Sequence, residues 1–213
     1  MATMDKPGMA ARRPLAAMRR LAGFLGDLAG DRRGVAAIEF AFIAPLLLML
    51  YLVTMEVAQG IDTNKKVSRV GSMVADLVTQ QPREITTTVL DPIMRIGEAI
   101  LQPYNRSRAD IVITGIEIDK NSNVKVKWSR AMRGGVFGRD ANAGDTTTVP
   151  AELKIPETFL LRVTAELEYL PILAWTAQQK TSVGLLGMFD HIAMQESYYL
   201  RPRMSAEIDC TNC

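Results

Sequence analysis

From Phe40 to Met55 the chain runs sixteen residues without a charge, and Glu56 ends the run. As a helix rising about 1.5 Å per residue, the run covers roughly 24 Å, a little short of a ~30 Å hydrocarbon core. Extending the helix from Val35 to about Ile61 gives roughly 40 Å, enough to span with its ends among the headgroups. The stretch therefore predicts one membrane helix over 35–61, with a carboxylate, Glu39, one turn inside its start. A carboxylate inside a membrane helix costs about 2.5–3.5 kcal/mol, so it usually has a partner or a task. In the plainest account Glu39 snorkels into interfacial water. A sharper account follows from the spacing. If the chain is cut after Gly34, Glu39 becomes the fifth residue of the product, and the new Val35 amine is a cation nearby. That amine is largely protonated at neutral pH, and in a low-dielectric surround it attracts a carboxylate strongly, within one chain or between neighbouring helices. Glycine before the cut also suits a protease that needs an extended, close-fitting backbone.

Gly34 followed by Val35-Ala36-Ala37-Ile38-Glu39-Phe40 resembles the G/xxxxEF-type site of class III signal peptides in the type IV pilin family. More narrowly, GVAAIEFAFIAPLLLML and the following MEVAQGI look like the TadE-like pseudopilins of the Tad (tight adherence, Flp) pilus system. A bare G-x4-E carries little information. A basic leader, the aromatic at Phe40 and an immediate apolar helix make the pattern specific. The site departs from the FTLIE-like pattern of general-secretion pseudopilins, which favours the Tad branch. The resemblance covers Arg32 to Ile61. It implies cleavage between Gly34 and Val35 by a prepilin peptidase, a membrane aspartic protease. It also implies registration of subunits through Glu39 and Phe40, and assembly with other Tad pilins and pseudopilins on an inner-membrane platform. Pro45 removes one helical hydrogen bond, to the carbonyl of Ala41. It reads equally as a harmless kink, tolerated where neighbours compensate, or as a weak point that helps extraction from the bilayer.

Residues 1–34 read as a cytoplasmic leader, with seven basic residues (Lys6, Arg12, Arg13, Arg19, Arg20, Arg32, Arg33) against three acids. Positive-inside bias keeps this end in the cytoplasm and sends residues 62–213 across the inner membrane, although Lys65, Lys66 and Arg69 on the far side weaken the bias. An ordinary secretory signal has a shorter apolar core ending at a small-x-small site, and no such site follows Leu52. Leu15 to Leu28 is loosely amphipathic and suits the inner membrane surface. The remaining 179 residues hold 18 basic and 20 acidic side chains, so the chain's basicity belongs to the leader. Nothing left reads as a nucleic-acid surface.

Beyond the membrane the helix is predicted to continue to Gln81, before Pro82. Its apolar face combines Val57, Ile61, Lys65, Ser68, Ser72 and Leu77 with Val67, Val70, Val74 and Val78. Val89–Leu101 reads as a second helix with Asp91-Pro92 near its start. From Asp110 the period falls to two: Ile111, Ile113, Ile116 and Ile118 form one strand, and Val124, Val126 and Trp128 another. Lys120-Asn121-Ser122-Asn123 supplies the hairpin turn. Residues 130–150 read as a long exposed loop. Phe159–Leu170 is a strand with Val163, Ala165, Leu167 and Tyr169 on one face, and Glu166 and Glu168 solvated on the other. Leu173–Met188 is ambiguous, and Ala193–Met204 is a strand whose Pro202 argues for an edge. The expected fold is α+β: a transmembrane helix continuing as a stem, then a periplasmic antiparallel-sheet head with helices, large enough for one core.

Cys210 and Cys213 form a C-x-x-C. In the periplasm oxidation is their natural state, as a structural tail disulfide or, in the lesser case, as an intermolecular pair. No helix start follows them to lower a thiol pKa. With His191 as the lone histidine, a metal site lacks ligands. No phosphate-binding glycine loop and no nucleophile in motif context occur, and no catalytic, cofactor-binding or metal-ligating residue is nominated. Trp128 and Trp175 read as core or edge aromatics. Arg201 and Arg203 lie on an edge that is either solvated or docks a partner. The prepilin peptidase, fellow Tad subunits and membrane lipid are the expected partners. At 179 mature residues a minor or assembly role fits better than that of a short major pilin. The competing expectation is an uncleaved, membrane-anchored periplasmic binding or adaptor protein unrelated to a pilus.

Overall fold

A computed structural model describes residues 34–171 and 192–213. The leader through residue 33, the ambiguous 173–188 stretch, Trp175 and His191 lie outside the described residues. Helix α1 (Val35–Thr79) is followed by β1 (Glu84–Ile85), α2 (Thr87–Ala99), β2 (Asp110–Ile118), β3 (Val124–Arg133) and β4 (Val136–Gly138). A short 3-10 turn (Ala151–Leu153), β5 (Thr158–Tyr169), β6 (Ile192–Leu200) and β7 (Asp209–Cys210) complete the set. The chain divides into two compact units, one ending at Val53 and one running from Thr54 to Cys213.

In the first unit the described residues are Gly34–Val53, an apolar helix with its side chains exposed. Phe42 is 78% and Leu46 70% exposed, and an apolar 18-residue window of α1 has none of its residues buried. By length and composition this helix fits a membrane anchor.

The second unit is an α+β head. Strands β4-β3-β2-β5-β6 form a five-stranded antiparallel sheet, and β1 pairs with β7 in a small parallel ribbon. One face of the sheet carries Ile111, Ile113, Trp128, Met132, Phe159, Leu161, Val163, Ala165, Leu167 and Tyr169, all within the main core. The later part of α1 lies in the same core. Its buried residues Thr63, Val67, Val70, Gly71, Val74, Ala75, Val78 and Thr79 recur at helical steps of three and four. The expected face was partly misplaced: Val57, Ile61 and Lys65 are exposed. Those three positions follow one another at steps of four, but lie around the helix from the stripe through Val67 and Val70. Helix α2 adds Leu90, Ile93 and Met94, and its Gly97 faces Val70 and Val74.

Two other expectations change. Residues 130–133 belong to β3, and a hairpin turns back into β4 through Gly134 (φ 58°) and Gly135 (φ 84°). Two consecutive positive-φ glycines are the chemistry of the tight hairpin turn whose twist matches its strands. The irregular segment therefore starts after Gly138, and within it Thr146 bridges to Lys125. Val149 and Leu153 pack over Ile116, Ile118, Val124 and Leu160 on the sheet's other face, a smaller second core. Strand β6 is an edge strand of the sheet, as expected, but stops at Leu200, so Pro202 stands past its end. The β2–β3 turn falls where the sequence places it. Asp119 accepts the Asn121 and Asn123 amides, each at 2.8 Å.

Close approach of the helices to each other and to the sheet depends on missing Cβ atoms. A methyl at Gly97 would stand 2.6 Å from Cγ2 of the buried, β-branched Val74 and 3.3 Å from Ile111 Cδ1. Gly97→Ala should lower stability by about 1–3 kcal/mol through overpacking. Gly60→Ala, whose methyl meets nothing nearer than 3.9 Å, should be neutral or stabilising by up to about 1 kcal/mol. Thermal melts of the two variants in detergent check the contrast.

Candidate functional site

Gly34 is exposed, with nothing within 4 Å of where a Cβ would stand, and α1 begins at the next residue. Glu39 is exposed one turn in, and no ion pair engages it among the described residues. Phe40 is 69% exposed beside it. The helix continues through Pro45. Glycine, helix start, acid and aromatic are therefore consecutive on one exposed segment.

Where the charge-free run ends, the head holds a cluster that sequence reasoning did not assemble. The buried Tyr169, the last residue of β5, donates its hydroxyl to Glu56 Oε1 at 2.6 Å. Tyr104, in the loop between α2 and β2, stacks against Tyr169 with centroids 5.5 Å apart. Its hydroxyl accepts the Leu170 amide at 2.9 Å and donates toward the Glu168 carbonyl at 3.3 Å. The Arg106 guanidinium lies over both rings, 4.8 Å and 5.4 Å from their centroids, and reaches the Tyr169 hydroxyl at 3.4 Å. Burial, followed by the bond to and charge of Glu56, pushes the Tyr169 phenol up to about 12, so it remains a donor. Glu56 and Tyr169 are 113 residues apart, so no local pattern links them. The available signal was Glu56 itself, the first charge after the apolar run.

At the other end of the chain a tail is fastened at several points. Cys210 and Cys213 form a disulfide, with Cα atoms 5.7 Å apart, that packs against the main core. Asn212 Oδ1 accepts the Thr87 amide at 2.9 Å and so caps α2, whose own N-cap residue, Thr86, makes no side-chain cap bond. The Trp128 indole crosses Gly115, where a Cβ would stand 2.6 Å from Nε1, and donates to the Ile208 carbonyl at 2.6 Å. Lys127 bridges Glu207 (2.6 Å) and Asp209 (2.7 Å), and Arg83 also reaches Glu207. Arg203 pairs with Asp76 at 2.5 Å, while Arg201 is exposed. Glu166 and Glu168 are exposed on the outer sheet face. Among the described residues no group of His, Cys, Asp and Glu is gathered with metal-binding geometry.

The tail clamp carries a pH dependence. The Lys127 ammonium, by hydrogen bond and charge, holds the Glu207 carboxyl below its ordinary value, and Arg83 adds to this. Burial alone would lower Lys127, but its bonds to Asp209 and Glu207 outweigh that and raise it. The Glu207 contribution is therefore present above the ordinary carboxylate range and fades as pH falls through the depressed value. The Lys127 contribution is present below its ordinary value and fades as pH rises through the raised one. Glu207→Gln should melt below the unsubstituted protein at neutral pH. The gap should close as pH falls below about 4, and a melting series across pH 2–8 reads it.

The match of this chain to a known family falls on the helix. No curated protein and no solved structure matches the chain. The family model for TadE-like proteins matches residues 34–76, from the exposed glycine through most of α1. The match associates the chain with components of the Tad pilus. The strands of the head lie outside it. Over residues 34–76 the chain carries a TadE-like segment.

Proposed function

We propose that this chain is a pseudopilin: a single-helix subunit anchored in the bacterial inner membrane, with its head in the periplasm. A prepilin peptidase cuts it after Gly34, and the mature chain helps to assemble a Tad (Flp-type) adhesive pilus as a minor subunit, without enzymatic activity of its own. The observation that carries this reading is an exposed glycine, Gly34, immediately before α1, on the segment that matches the TadE-like family. A protease needs a reachable backbone that can be drawn out straight, and an exposed glycine, with no Cβ, adopts that shape at little steric cost. The apolar side chains that follow are exposed and suit lipid first, then neighbouring helices of the same kind. Glu39 is then the one carboxylate among them. Pairing with the freed amine at a neighbour's Val35 offsets its desolvation and fixes the stagger between subunits. The seven basic residues of the leader favour a cytoplasmic start.

The amino terminus of the protein isolated from membranes of its native host tests the reading. A start at Val35, lost in Gly34→Ala, is the expected result. An intact Met1 in cells with an active peptidase would sink it, leaving an anchored periplasmic adaptor. In the cleaved background, Glu39→Ala should leave processing intact and abolish piliation, scored by electron microscopy of surface filaments.

A further inference from the structure

We propose that Arg106, held against Tyr104 and Tyr169, binds the phosphate of an anionic membrane lipid at the foot of the head. The proposal rests on the reading of residues 35–61 as the membrane anchor.

Position is the first argument. Met55 is the last residue of the charge-free run, and Glu56 is the first charge after it. The Tyr169 hydroxyl is bonded to Glu56, and the Tyr169 ring passes along α1 to within 3.9 Å of a Cβ position at Gly60. With α1 spanning the bilayer, this cluster lies at headgroup depth. Tyrosines are enriched at that level because the ring is apolar and the hydroxyl polar, and basic side chains there meet lipid phosphates.

Unused donor capacity is the second argument. A guanidinium has five N–H donors and matches a phosphate edge with two parallel bonds. Arg106 makes one bond among the described residues, the long one to the Tyr169 hydroxyl. Its Nε is shut off from water and has no acceptor. No carboxylate lies within ion-pair distance of it among the described residues, whereas Arg83, Arg130, Arg133 and Arg203 each have one. A phosphate oxygen arriving at the guanidinium meets its Nη donors, which carry only the long bond to Tyr169.

Rigidity is the third. Tyr104 is fixed by the Leu170 amide and the Glu168 carbonyl, and Tyr169 by Glu56. Ser107 Oγ also donates to the Glu168 carbonyl, at 2.5 Å, which pins the loop on both sides of Arg106. The two rings hold the guanidinium from one side. Glu56 opposes an anion through its charge, but its Oε1 faces the Tyr169 hydroxyl, and Arg106 reaches that hydroxyl and not the carboxylate.

The test uses the full chain in nanodiscs of equimolar phosphatidylglycerol and phosphatidylcholine, extracted gently and read by native mass spectrometry for retained lipid. The unsubstituted protein should retain phosphatidylglycerol preferentially. Arg106→Gln should lose about fivefold of that preference, the effect of one basic group near an anionic surface. Arg106→Lys, which keeps charge without the planar fork, should keep part of it and guards against a folding artefact. Lys65→Gln, which removes an exposed cation farther along α1, should change nothing. Glu56→Gln should strengthen retention. Equal preference in the unsubstituted and Arg106→Gln proteins would overturn the proposal. So would a matching loss in Lys65→Gln, which means diffuse surface charge. Displacement of the lipid by millimolar inorganic phosphate would reassign the site to a soluble anion. Loss of self-association in Arg106→Gln with lipid retention unchanged would assign it to a subunit contact. Failure of the protein to co-float even with neutral phosphatidylcholine vesicles would fell the membrane reading itself, separately from these outcomes.

Discussion

The head depends on the burial of one stripe of α1 against the sheet. Val67, Val70, Val74 and Val78 are all but fully buried there, and each is worth about 1.5–3 kcal/mol relative to exposure. Two glycines set how closely the backbones approach. Gly71 lets the Tyr198 ring lie where a Cβ would stand 2.7 Å away, and Gly97 does the same for Val74. Tyr198 then meets Ser68 through its hydroxyl at 2.5 Å, so the contact that gains apolar burial also satisfies its polar tip. With this seam in place, Arg130 of β3 reaches Asp91 of α2 in a two-pronged, half-buried pair at 2.9 Å and 2.7 Å. The tail then closes against the same core through Trp128 and Lys127. Removing the stripe would leave the sheet's apolar face without its main cover.

Much of this was legible because periodicity is local. The isoleucines of β2, the alternating face of β5 and the turn at Asp119–Asn123 each follow from neighbours a few residues apart. The face of α1 was only partly legible. Its valines mark the buried side, but Val57 and Ile61 are apolar and exposed, and periodicity alone does not separate apolar residues that face the core from those that do not. The β3–β4 hairpin was hidden because Gly134-Gly135 scores as loop composition, while its meaning as a turn depends on the strands it joins.

The candidate site divides in the same way. Gly34, Val35, Glu39 and Phe40 lie close together in the sequence, so a motif reading can name them, and all four are exposed. The cluster of Glu56, Tyr104, Arg106 and Tyr169 draws on three elements, joined only when β5 runs back beside α1. Sequence reasoning could see Glu56 end an apolar run, and could place Tyr169 on the inner face of a strand. It could not see that one satisfies the other. The tail was read as two cysteines, whereas its anchoring rests on Glu207, Ile208, Asp209 and Asn212, none of which belongs to a motif.

Taken with the membrane reading, one helix answers to two solvents, and Glu56 stands where the requirement changes. Before it, the backbone satisfies itself within the helix, and the side chains need only be apolar. After it, the same helix needs a specific face, small residues at close approaches and hydroxyls with partners, because a protein core is packed and lipid is not. A carboxylate at that junction would be costly on the lipid side and unremarkable in water. Its bond to the buried Tyr169 gives it a fixed acceptor role and ties the end of the apolar run to the sheet. Sliding α1 by one turn toward the head would bury Glu56 without that donor and pull Thr63 and Val67 out of register with the core. Sliding it the other way would carry Glu56 into hydrocarbon. The single hydrogen bond from Tyr169 thus joins the first charge after the apolar run to the sheet that α1 covers.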